Sequence, residues 1–119
     1  NGNIKFAESM LVAEASLSDG KFTDAFAKYD VSLQLAKECG LRQYRALILD
    51  RWGNAEAATG NHGKSHHHWE TALSIYKEWG AEAVVRQVRQ KIDLAQKRHP
   101  VAEQALGLVA AQQSIPTFE

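Results

Sequence analysis

Four of the five histidines, His62, His66, His67 and His68, fall within one short stretch, and they are the residues here best suited to chemistry. On a helix, His62 and His66 share one face at the i, i+4 spacing that lets two imidazoles hold one zinc or nickel ion. Two imidazoles make an incomplete shell, and neither a carboxylate nor the cysteine evidently joins them. A helix start also disfavours positive charge, so these rings are expected neutral. Solvated histidines beside Trp69 are the favoured reading, with a metal-binding or catalytic helical domain using His62 and His66 as the alternative. The single cysteine, Cys39, aligns with Trp79 and reads as a small packed residue. No Ser/His/Asp or Cys/His order gives a triad, so no enzyme and no resident cofactor or metal is expected. The tryptophans at 52, 69 and 79 could form an aromatic box, but their helical spacing assigns them to the core. Lys91, Lys97, Arg98, Arg86 and Arg89 form a basic face, read as solvated with an anionic peptide contact as the alternative.

These residues sit on a chain of 119 residues with 14 Lys+Arg against 14 Asp+Glu, a formal net charge of zero. That balance leaves no electrostatic footprint for nucleic acid or an anionic membrane surface. No apolar run is long enough to span a bilayer, and one cysteine cannot form an internal disulfide. A cytoplasmic setting is expected, as is one domain over residues 1–119 cut from a longer protein.

The elements that must position these side chains come from a repeat. Gly20 and Gly60, and again Gly40 and Gly80, lie 40 residues apart. Tyr29 matches Trp69, Leu33 matches Leu73, Leu35 matches Ile75, and Lys37-Glu38 matches Lys77-Glu78. Periodicity predicts helices over about 4–18, 23–39, 41–59, 63–79 and 81–98, each ended by its glycine or, for the last, near Pro100, which can open a sixth. The first helix carries apolar residues at 4, 7, 11 and 15, and Thr23 or a neighbour caps the second. Short loops force neighbouring helices antiparallel, so the fold class is all-α.

At the third and fourth helices the pattern becomes specific. Trp52, Gly53, Asn54 and Ala55, then Gly60, then Ser65, Trp69 and Ala72, resemble the tetratricopeptide repeat. Gly53 permits close helix approach and Trp69 fills the gap. In the first copy Val12, Ala13, Gly20, Ala25, Tyr29 and Ser32 take the matching places. The period exceeds the family's usual 34 or so residues, as in its 40-residue variants. The resemblance implies antiparallel hairpins stacked as a right-handed superhelix of five to six helices. Repeat one covers about 4–40, repeat two about 41–80, and a degenerate third repeat or cap about 81–113. It further implies a groove lined by Met10 and Glu14, by Leu47, Asp50, Arg51, Asn54 and Ala58, and by Gln87, Gln90 and Lys91. A protein or peptide would bind there, with Asn54 gripping its backbone. Asp50 stands where members that clamp a peptide carboxylate carry Lys, which argues against that mode.

Tyr76 to Ala81, within Ala72 to Val88, is also similar to the helical repeat region of large multidomain signalling kinases containing an ATPase. The expectation is therefore a non-catalytic interaction or scaffold module, with self-association through a terminal helix as a further alternative.

Overall fold

The computed structural model describes residues 2–99, and side chains from Lys5 onward. Five helices of 17 residues each follow one another: α1 Gly2–Ser18, α2 Phe22–Glu38, α3 Arg42–Ala58, α4 His62–Glu78 and α5 Glu82–Arg98. The three-residue linkers share one geometry. Their glycines take φ of +78°, +67°, +86° and +68°, the left-handed conformation that favours Gly. After α1, the Gly20 amide donates to the Leu17 carbonyl and the Lys21 amide to that of Ser16, and the same two bonds recur after α2, α3 and α4. Each of α1 to α4 is thus closed by a Schellman turn that also launches the next helix. No N-cap side chain of α2 to α5 makes a capping bond, so Thr23 does not cap α2, whose N-cap is Lys21. The expected sixth helix at Pro100 lies outside the described residues.

α1 packs on α2 and α3 on α4 as hairpins, with α2 on α3 and α4 on α5 at the joints. Two apolar clusters result. One gathers Phe6, Ala13, Tyr29, Ala36, Ile48 and Ala55; the other gathers Ala46, Leu49, Trp69, Ala72, Leu73, Ile75, Tyr76, Val88 and Ile92. α3 contributes to both, so it is the central element.

The first helix faces inward differently from the apolar count. Phe6 and Ala13 are buried, with Met10 and Leu17 packed beside them, whereas Leu11 is 64% exposed. Phe6 and Ala13 lie 40 residues before Ala46 and Gly53, so repeat register, not side-chain size, sets the phase. Met10 consequently supports the core rather than the groove. Two further expectations are overturned. Trp79 is 48% exposed and Cys39 is exposed, because each occupies the C-cap position, where the chain leaves its helix for the turn.

Register also marks where the apolar stacking ends. On α3, Ala46, Leu49, Gly53 and Glu56 are buried. Forty residues on, α5 carries Arg86, Arg89, Asp93 and Gln96, all exposed. α5 therefore offers a polar surface where α3 receives a partner helix.

Candidate functional site

One side of α3 faces a groove of about 510 Å³ lined by Glu14 and Leu17 of α1, Tyr29 of α2, and Leu47, Asp50, Arg51, Asn54, Ala55 and Ala58. Residues 47, 50, 51, 54 and 58 share one helical face, which is why a single helix supplies most of the lining. Arg51 Nη1 donates to both Glu14 oxygens, at 3.1 and 2.8 Å, and ties α3 to α1 across the groove. Asp50 pairs with Lys91 of α5 and accepts from the Tyr76 hydroxyl at 3.4 Å. Lys91 also donates to Asn54 Oδ1 at 2.9 Å and lies 5.2 Å from the centre of the Trp69 ring. The Trp69 indole N–H donates to the Asp50 carbonyl at 3.2 Å and to Asn54 Oδ1 at 3.1 Å.

Asn54 has its orientation set by this arrangement. Lys91 and the Trp69 indole can only donate, so the amide oxygen must face them. The Nδ2 group, with two hydrogens, makes no bond to the described residues. Asn54 is exposed, so that donor is available in the groove.

The ionisable groups are tied to each other. Burial, with the neighbouring Glu14 charge, pushes the Tyr29 phenol up to about 12, and burial beside Asp50 pushes the Tyr76 phenol up as well. Both stay protonated at neutral pH. What remains outward is an apolar floor of Leu17, Leu47 and Ala58, the Asn54 amide and the free edge of Arg51.

Of the sequence-derived positions, Glu14, Asp50, Arg51 and Asn54 come together in this groove, and Lys91 joins them through Asp50. Lys91 is therefore not part of a solvated basic face. Gln87 and Gln90 are exposed on α5 and do not line the groove. Leu17 and Tyr29 were not anticipated there; Tyr29, read as core, is 1% exposed yet borders the opening.

The histidine run is divided between two surfaces. His62 stacks on His99 at 4.0 Å between ring centres, while His68 stacks on Trp52 at 4.3 Å. Among the described residues no three His, Cys, Asp or Glu side chains are grouped as metal ligands. Burial first, then the charges of His67 and Lys64, lower the His68 pKa from 6.5 to about 4. An unfolded histidine binds its proton near 6.5, so between the two values the unfolded chain holds more protons and stability falls as pH drops. With a discount for partial exposure, the loss attributable to His68 should reach about 1–2 kcal/mol near pH 4. Urea unfolding across that window checks it: His68→Gln should flatten the slope, and an unchanged slope would assign the effect elsewhere.

The chain matches no protein-family model, no curated protein and no solved structure.

Proposed function

We propose that the chain is a non-catalytic interaction module of the tetratricopeptide type, which receives an extended peptide in the groove of Glu14, Asp50, Arg51 and Asn54. The observation carrying this reading is the Asn54 amide. Its oxygen is held by two donors from α4 and α5, and its NH2 is left for a carbonyl above an apolar floor. A rigid helical groove with a preset donor binds without remodelling, which lowers the entropic cost of association. The pairing of Asp50 with Lys91 cancels the local charge, so an apolar side chain between Leu17 and Leu47 suits the floor better than a terminal carboxylate. The lone cysteine and the likeness around Tyr76 to Ala81 support a place within a cytoplasmic signalling protein.

Asn54→Asp is the informative variant, because it keeps an acceptor for Trp69 and Lys91 while deleting the outward donor. Peptides selected from a random phage-displayed library on the wild-type chain serve as the probe. Asn54→Asp should weaken them by about 1–2 kcal/mol, roughly 5- to 30-fold, with little change in melting temperature. Selected peptides that bind Asn54→Asp normally and perturb amide resonances away from residues 47–58 would overturn the groove.

A further inference from the structure

A second cavity, of about 400 Å³, opens on the other side of α3, lined by Phe26 of α2, Trp52 and Glu56 of α3, and Gly63, Lys64, His67 and His68 of α4. Residues 52 and 56 lie about half a helical turn from 50 and 54, so this site does not share the groove. Four of its lining side chains are rings: Phe26, Trp52, His67 and His68. Trp52 is stacked between Tyr29, at 6.1 Å, and His68, at 4.3 Å, and Phe26 packs against the same core cluster. Its one acidic group is unusual. Glu56 is 2% exposed, and its only side-chain hydrogen bond among the described residues comes from Asn61 Nδ2, at 2.8 Å.

A carboxylate so buried ordinarily has a cation or several donors beside it. Lys64, the one Lys or Arg lining the cavity, is exposed and forms neither an ion pair nor a ring contact among the described residues. We propose that this cavity binds a lysine side chain of a protein partner, with the ammonium donating to the free Glu56 oxygen and its stem lying against Phe26, Trp52 and His68. Aromatic faces attract an ammonium through their quadrupole while accepting its alkyl stem, and the volume falls in the range of small-ligand pockets. The His68 ring, held neutral by burial at pH 7, does not oppose the charge.

The test uses N-acetyl-lysine methylamide and its uncharged counterpart N-acetyl-norleucine methylamide, titrated into the nitrogen-15-labelled chain. The Trp52 indole N–H and the Gly63 amide should move with the lysine compound, which should bind about tenfold tighter than the norleucine compound. Glu56→Gln keeps an acceptor for Asn61 and should abolish that discrimination. Should Glu56→Gln fail to fold, Phe26→Leu leaves the carboxylate in place and should weaken the lysine compound about threefold, with the norleucine compound unaffected. Equal binding of the two compounds, discrimination that survives in Glu56→Gln, discrimination undiminished in Phe26→Leu, or resonances that stay still would each overturn the assignment.

Discussion

Replacing Trp69 by Ala is expected to cost about 3–5 kcal/mol, the largest single effect in this chain. The indole is 5% exposed in the second core cluster, and truncation removes both its packing and its donor to Asp50 and Asn54. The slot it fills exists because residue 53 has no side chain. A Cβ there would lie 2.5 Å from Trp69 Cδ1 and 2.6 Å from Nε1, and a rigid ring wedged between helices cannot yield as a flexible side chain would. Gly53→Ala should therefore destabilise by about 1–3 kcal/mol. In the Trp69→Ala background the same change meets open space, and its sign should reverse to a gain of about 0.5–1 kcal/mol, since Ala is the better helix former. A urea-unfolding cycle on the four proteins measures the coupling. Equal costs of Gly53→Ala in both backgrounds would refute the contact.

That pairing also explains the first repeat. Ala13 and Tyr29 stand where Gly53 and Trp69 stand, and all four are buried. A methyl is added on one helix where the facing aromatic is smaller, so the two hairpins keep similar spacing with different residues.

This compensation shows what a sequence can and cannot disclose. The helices, their order and their ends were legible, because a glycine recurs every 20 residues and nothing between breaks a helix. Helix bounds moved by a residue or two, and the one side-chain cap expected, at Thr23, is absent because α2 starts from Lys21 in the turn. The phase of α1 was misread because Leu11, Val12 and Ala15 are as apolar as Phe6 and Met10, and size alone cannot choose between faces. Trp79 and Cys39 were misplaced for a related reason: a helix-ending position before glycine looks like the next step of the stripe. At the groove, Glu14, Asp50, Arg51 and Asn54 were implied by the tetratricopeptide resemblance. Their ion pairs were not, since Lys91 lies 41 residues from Asp50 and only the packing of α5 brings them together. The second cavity left no local signature, because Phe26, Trp52, Glu56 and His68 come from three helices.

Lys91 links α5 to the groove, and its removal is expected to be the next most costly change. Lys91→Met keeps the apolar stem against Trp69 but leaves the Asp50 carboxylate, whose side chain is only 15% exposed, with the long Tyr76 hydroxyl bond as its remaining side-chain partner. A mostly buried charge stripped of its cation costs far more than the pair itself contributes, so the expected loss is about 2–3 kcal/mol. Asp50→Asn alone should cost less, about 1 kcal/mol, because Lys91 is more exposed and can turn its ammonium to water. The decisive protein is the double variant. With no buried charge left unpaired, Asp50→Asn should restore at least half of what Lys91→Met loses, giving a coupling of about 1–2 kcal/mol. The measurement is the urea midpoint at constant m-value. If the two losses simply add, Asp50 and Lys91 act independently, and α5 then contributes to the groove through Val88 and Ile92 packing alone.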